Sequence, residues 1–312
     1  MEKGNQTSVS EFLLLGFRSW PGPQALLLVL FLGLYSAGLL GNVVILLAIG
    51  SDRRLHTPRY FFLANLSFVD LCLPSATVPK LLLNLQTQTH AISYAGCLAQ
   101  TYFCVMFANM DNFLLTVMAY DRYVAICHPL HYAAVMPGSR SVSLVAVPWA
   151  VATLNPLLHT LMMTRLHFCS NNTVRHFFCD ISALLRLSCS DTSLNQLLVL
   201  AVVGLIFAAP SACILASYAC IFFTVMKIPS AQGKRKTFST CGSHLALVLL
   251  FYGAITGVYL SPSSTHSAAQ DSTASVVFMV VAPVLNPFIY SLRNEELKGA
   301  LKKMLGRSTT SQ

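Results

Sequence analysis

Long apolar runs separated by short polar ones dominate the chain, and the length of those runs decides the class of protein. Windows free of Asp, Glu, Lys and Arg extend over Ser19–Ser51, Ser141–Thr164, Thr192–Met226, Thr237–Gln270 and Ser272–Leu292. Each supplies the roughly 20 apolar residues that a helix needs to cross a bilayer. Two further runs, Pro58–Leu83 and Tyr94–Ile126, carry an acid in mid-run, Asp70 and Asp111. The pattern predicts seven spans. Lipid admits only helices or closed barrels, and runs this long are helices, because barrel strands take roughly 10 residues. The expected fold is an all-α membrane protein, a seven-transmembrane helix bundle. A polar segment over 1–23 precedes the bundle over 24–292, and a terminal segment over 293–312 follows it. In that last segment Leu297, Ala300, Leu301, Met304 and Leu305 recur at three- and four-residue spacing with lysines opposite. This predicts a short amphipathic C-terminal helix on the inner leaflet.

Composition agrees. The 312 residues are 55% hydrophobic and 10% charged, where soluble domains run to about a quarter charged. The distribution of the basic residues then orients the chain. Arg53, Arg54 and Arg59 fall in the first loop, Arg122 and Arg140 in the third, and Lys227, Lys234, Arg235 and Lys236 in the fifth. Arg293, Lys298, Lys302, Lys303 and Arg307 fall in the tail, making 14 of the 20 Lys and Arg on one side. The tail is therefore expected in the cytoplasm and the N-terminus outside the cell, at the plasma membrane. The net charge of +9 reads as topology and affinity for anionic membrane lipid, with no nucleic acid as partner. Asn5-Gln6-Thr7 and Asn171-Asn172-Thr173 are glycosylation acceptors on the outer side, whereas Asn65-Leu66-Ser67 matches by chance inside the second span. Cys97, Cys169, Cys179 and Cys189 also lie outside, where disulfides persist, and allow three pairings. Cys72, Cys104, Cys127, Cys213, Cys220 and Cys241 are expected as free thiols.

Few residues carry chemistry. Asp121-Arg122-Tyr123 ends the third span, in the run Met118–Cys127. Arginine at a membrane edge is costly and is usually paired, snorkelled or functional. Asp121 offers a partner, and an acid–arginine pair that can open is a switch; the plainer reading is an orientation anchor. Pro287 in the seventh span and Pro210 in the fifth each remove a backbone hydrogen bond and leave a carbonyl for polar neighbours, as hinges or as packing features. No nucleophile–base motif or phosphate loop appears, so no enzyme is expected. His167 and His176 beside the outer cysteines could suggest a metal, but disulfides suit that compartment better. Seven spans without an inverted repeat argue against a transporter.

Taken together, several runs resemble the rhodopsin-like G-protein-coupled receptors, and specifically the olfactory (odorant) receptors. They are Phe12–Phe17, Gly41-Asn42, Leu55–Ser67, Asp70, Met118–Cys127, His176–Asp180, Ser217-Tyr218, Lys236–His244 and Pro283–Arg293. Their order covers nearly the whole chain. Arg59, Thr237 and Val284 depart from the usual Met, Ala and Met of that family. The resemblance implies the disulfide Cys97–Cys179 with Cys169–Cys189 beside it, Cys97–Cys189 being the runner-up. It implies a G-protein switch of Asp121, Arg122, Tyr123, Tyr218, Asn286, Pro287 and Tyr290. It places Asp70 and Asp111 together near Asn286. Two close acids cannot both stay ionised without a counter-charge, so they form either a sodium site or a protonated, hydrogen-bonded pair. No other cofactor is expected. The implied ligand pocket, in the outer half, comprises Cys104, Val105, Ala108 and Asn109 of the third span, Asn155 and His159 of the fourth, and Val202 and Ile206 of the fifth. Tyr252, Ile255 and Tyr259 of the sixth and Met279 of the seventh complete it. His159 is its lone basic group, so the expected ligand is a small, neutral, mostly apolar volatile molecule bound with modest, micromolar affinity. The expected function is odorant binding coupled to a stimulatory, olfactory-type heterotrimeric G protein and cAMP. The alternative is the same chemosensory receptor acting outside the olfactory epithelium.

Overall fold

Seven helices long and apolar enough to span a bilayer form the body of the protein in a computed structural model, which describes residues 9–18, 20, 22–169, 172–259 and 273–309. The first six are Gln24–Ser51, Pro58–Thr87, Tyr94–Cys127, Gly138–Met163, Ser193–Met226 and Ala231–Tyr259. The seventh span, Thr273–Tyr290, widens into a π-helical turn over Val277–Val281 and continues as the helix Ala282–Arg293. The tail helix Glu295–Thr309 follows. Local chemistry sets several boundaries. Pro58 occupies the first turn of the second helix, where its missing N–H costs nothing. Gln88 ends that helix in the left-handed conformation, at φ 59°. The Ser93 hydroxyl caps the third helix by accepting from the Gly96 N–H at 3.1 Å. Asn294 separates the seventh helix from the tail helix and accepts from the Glu296 and Leu297 N–H groups at 3.1 and 3.2 Å.

The third helix runs through the middle of the bundle and buries side chains along its length, from Cys97 to Val124. The first, fourth and fifth helices turn large apolar residues outward: Leu200 is 75% exposed, Leu215 71% and Leu40 67%. Water would penalise such a surface and lipid accepts it. Between helices in lipid, close backbone approach and polar contacts replace the hydrophobic force. At Gly41 a Cβ would stand 3.0 Å from Pro287 Cβ, so glycine permits the first and seventh helices to touch. Asn42, fully buried at that contact, donates through Nδ2 to Pro283 O at 3.1 Å and to Gly38 O at 3.0 Å. The Pro283 carbonyl is the one that Pro287, lacking an N–H four residues on, leaves without its helical donor.

One feature of the fold corrects a purely helical expectation. Glu11–Leu14 forms the centre of a three-stranded sheet, antiparallel to Ala91–Ser93 and parallel to Thr173–Val174. Phe12 and Leu14 point inward and are buried against Cys97, Phe168 and Cys179. A four-residue run carries too little periodicity to show, and its partners lie far along the chain. The sheet caps the end of the bundle that carries both disulfides, Cys97–Cys179 and Cys169–Cys189, with Cα separations of 5.5 and 5.9 Å. Cys72, Cys104, Cys127, Cys213, Cys220 and Cys241 are free thiols. The glycosylation acceptors Asn5 and Asn171 lie outside the described residues.

Candidate functional site

At the disulfide end, polar side chains pin the connecting segment to the third helix. Cys179 N–H donates to Gln100 Oε1 at 2.9 Å, and Thr101 Oγ1 donates to Cys179 O at 2.9 Å. His176 joins the same segment to the seventh span: its Nδ1 accepts from the Phe177 N–H at 3.1 Å, and its Nε2 lies 3.2 Å from Ser275 Oγ. The residues named above as a ligand pocket lie on the third to seventh spans. Cys104, Asn109, His159, Ile206 and Met279 are buried; Val105, Ala108, Asn155, Val202, Tyr252 and Ile255 are partly buried. The Tyr259 side chain lies outside the described residues. Asn109 Nδ2 donates to Asn155 Oδ1 at 2.9 Å, so the third-helix amide faces the fourth helix. His159 Nε2 is buried with no hydrogen-bond partner among the described residues. Phe207, Phe251 and Phe278 form a stacked and edge-on aromatic row across the fifth, sixth and seventh spans.

Midway along the bundle, Asn286 Nδ2 donates to Asp70 Oδ1 at 2.9 Å and Oδ2 at 2.7 Å. Asp111 lies close enough to repel the Asp70 charge, and its Oδ1 is buried without a hydrogen-bond partner among the described residues. An orphaned, buried carboxylate oxygen beside a second carboxylate is a donor set that suits a hard cation.

At the opposite end the Asp121 carboxylate accepts a hydrogen bond from the Tyr132 phenol at 2.7 Å, so the acid of the predicted pair is tied to the following loop. Burial, and then that hydrogen bond, push the Tyr132 phenol up from its ordinary pKa. Arg122 is buried, with Cys241 of the sixth helix beside it. Tyr218 and His244 form a second cross-link. His244 Nε2 donates to Leu115 O at 3.0 Å, which leaves Nδ1 to accept from the Tyr218 phenol at 2.7 Å. Tyr123 OH lies 3.0 Å from His128 Nε2. Tyr290 is buried, with its hydroxyl 3.9 Å from Met118 Sδ, and Pro287 packs on Gly41. The tail helix is docked by Tyr60, whose hydroxyl reaches Asn294 Oδ1 at 3.0 Å and Glu296 Oε2 at 2.6 Å. Ser51, Asp52, Ala300, Lys303 and Met304 line a cleft of about 150 Å³ between that helix and the first. The cleft lies at the far end from the ligand residues. Beside it Arg54 holds the Asp52 carboxyl well below the usual carboxylate range through a 2.7 Å ion pair.

In the third helix Asn112 Nδ2 donates to Ile206 O at 2.8 Å and Asn112 Oδ1 accepts from the Tyr252 phenol at 2.6 Å; Asn112, like Tyr132 and Tyr60, was not among the sequence candidates. The partners of Tyr132 and Tyr60 are set by loop and tail paths that periodicity does not reveal.

This seven-helix arrangement is the fold of squid rhodopsin, which superposes with a TM-score of 0.73 at 18% identity, over 93% of this chain and 88% of that one. Within that fold the sequence relatives are narrower. A family model described as olfactory receptor matches residues 31–308. The human putative olfactory receptor 1F12P is 75% identical over 98% of this chain and 91% of its own length. The human olfactory receptor 1F1 is 58% identical and the rat olfactory receptor 1f45 56% identical, covering 98% and 97% of their lengths and 98% of this chain in each case. The chain belongs to the olfactory receptor family. It is a multi-pass protein of the plasma membrane, a receptor and not an enzyme.

Proposed function

We propose that the protein binds a small, neutral, mostly apolar volatile molecule beneath the disulfide-pinned segment and signals through a stimulatory, olfactory-type G protein to raise cAMP. The observation that carries the ligand class is the character of the lining. Among the described residues of the proposed pocket none is Asp, Glu, Lys or Arg, and His159 alone can take up a charge. A charged ligand would have to shed its water there without a counter-ion among those lining residues, which costs several kcal/mol or more. An apolar one gains about 25 cal/mol per Å² buried. The asparagine pair Asn109–Asn155 offers both a donor and an acceptor to one carbonyl or hydroxyl group. In this reading the disulfide end faces outward, and the end carrying most of the Lys and Arg faces the cytoplasm, where Arg122 meets the G protein.

A panel of volatiles applied to cells expressing the receptor tests the ligand class. Neutral aldehydes, ketones, esters and alcohols are expected to raise cAMP in a dose-dependent manner, and amines or carboxylates of equal size to fail. Responses confined to charged compounds would overturn it.

The mid-bundle acids support a sodium ion as a second ligand. Asp70, Asp111 and Asn286 would hold it, and it would supply the positive charge that lets both carboxylates stay ionised. Basal cAMP is expected to fall as external sodium rises, and Asp111→Asn is expected to raise basal cAMP several-fold and to remove that dependence. A parent receptor indifferent to sodium would refute the site.

A further inference from the structure

Of the three departures from the olfactory receptor pattern, Thr237 alone adds a hydroxyl, where alanine is common. Lys234, Arg235 and Lys236 precede it directly. It lies in the second turn of the sixth helix, Ala231–Tyr259, at the end of the bundle that carries most of the Lys and Arg. The side chain is half-buried, and its Oγ1 donates to Gly233 O at 3.0 Å. Glycine inside a helix weakens it by about 1 kcal/mol relative to alanine. Helix ends are also the first parts to open. A basic run directly before a hydroxyl, in a segment that can open, is the charge pattern by which a basophilic kinase selects its substrate.

Thr237 also begins the face of the sixth helix that turns inward. Cys241, His244 and Phe251 follow it at helical spacing and are buried. Cys241 is hydrogen-bonded to the Arg122 guanidinium. Residues four apart on a helix are neighbours, with Cβ atoms about 5–6 Å apart. A group added to Thr237 Oγ1 therefore reaches toward Arg122. Residues 231–259 contain no Asp or Glu, so the sixth helix has no acid of its own to offer that charge. Asp121 is already engaged by the Tyr132 phenol at 2.7 Å. A phosphate carries a charge near −2 and three acceptor oxygens, and a guanidinium can bond two of them at once. Lys234, three residues before Thr237, stands on the same side of the helix and adds a second cation.

We propose that Thr237 is a phosphorylation site for a basophilic, ATP-dependent protein kinase, and that its phosphate binds Arg122 and ties the sixth helix to the third. In the transfer, Thr237 Oγ1 forms a bond to the γ-phosphorus of ATP. The bond from that phosphorus to the β–γ bridging oxygen breaks and ADP leaves. The hydroxyl proton passes to the carboxylate base of the kinase, and nothing is oxidised or reduced. The product gives up the bond to Gly233 O and gains the phosphate–arginine bond. Arg122 held in this way is withdrawn from the G protein, so the modification silences the receptor. That consequence rests on the reading of Arg122 as the G-protein contact; the phosphate–arginine bond itself does not.

The test uses the full chain, purified in lipid nanodiscs, with magnesium, radiolabelled ATP and the catalytic subunit of cAMP-dependent protein kinase as the basophilic probe. Phosphate uptake is expected to fall at least about fivefold in Thr237→Ala and to persist in Ser239→Ala. Thr237→Ala restores the residue common in the family, so its folding is secure. The phosphorylated parent is expected to melt about 3 °C above the unmodified one, and Arg122→Ala is expected to remove that shift. Equal uptake by the parent and Thr237→Ala would overturn the site. Phosphorylation without a melting shift, or a shift that persists in Arg122→Ala, would overturn the bond to Arg122. In cells, Thr237→Glu is expected to lower cAMP per surface receptor at least about fivefold. Unchanged cAMP beside the expected uptake and melting would overturn the silencing and the reading of Arg122 on which it rests, and would leave the phosphorylation site standing.

Discussion

Replacing Arg122 with alanine is expected to cut ligand-driven cAMP at least about 100-fold while receptor still reaches the cell surface. The reason lies in where the structure puts this charge. Arg122 is buried at the basic end of the third helix, close to Cys241 of the sixth. Its neighbour Asp121 is engaged by the Tyr132 phenol, so the acid has a partner in the loop that stays when the arginine is lost. The bundle is held elsewhere, by Asn42 across the first and seventh helices, by Asn286 on Asp70, and by Asn112. Removing Arg122 therefore takes away a cationic group at the proposed G-protein face while these other ties stay in place. The check is cAMP normalised to surface receptor, measured by antibody on intact cells. Retained dose-dependent cAMP would mean that the arginine only orients the helix in the membrane.

The second large effect is on assembly. Cys97→Ser and Cys179→Ser are each expected to lower surface receptor at least about tenfold, and the double variant to do no more. Loss of a native disulfide costs about 2–5 kcal/mol where its loop is long, and a tenfold change needs only about 1.4 kcal/mol. This bridge spans a separation of 82 residues, against 20 for Cys169–Cys189, so the latter is expected to matter less. Cys179 is further clamped by Gln100 and Thr101, which lose their aligned partner when the bridge is gone. Surface labelling of the four cysteine variants checks the order. A larger loss from Cys169→Ser than from Cys97→Ser would contradict it.

Much of this fold could be read from the chain because lipid makes stringent demands. Charge-free runs long enough to cross a bilayer stand out, and the second and third spans were found despite Asp70 and Asp111. The amphipathic tail showed through the spacing of Leu297 and Ala300, which are both buried against the bundle. The small sheet did not show. Glu11–Leu14 is four residues long and pairs with segments about 80 and 160 residues away, which no local pattern reports. The Asp121–Arg122 pair looked self-contained in sequence, yet Asp121 found a partner eleven residues on, in the loop. Prolines announced that carbonyls would be freed, at Ile206 and Pro283, but not which asparagines would meet them. That depends on helix rotation, and the structure resolves it as Asn112 and Asn42. Asn112, next in sequence to the more conspicuous Asp111, has no local pattern that marks its contact with the fifth helix.

The central claim is that a neutral ligand near Asn109 and Tyr252 is reported to a G protein at Arg122. It is tested most directly in cells whose stimulatory α-subunits have been deleted and then restored one at a time. With a neutral volatile agonist and constant surface receptor, cAMP is expected to be absent in the deleted cells and to return, dose-dependently, with the olfactory-type stimulatory subunit. A response that persists without any stimulatory subunit, or agonist binding that never yields cAMP after restoration, would contradict the account.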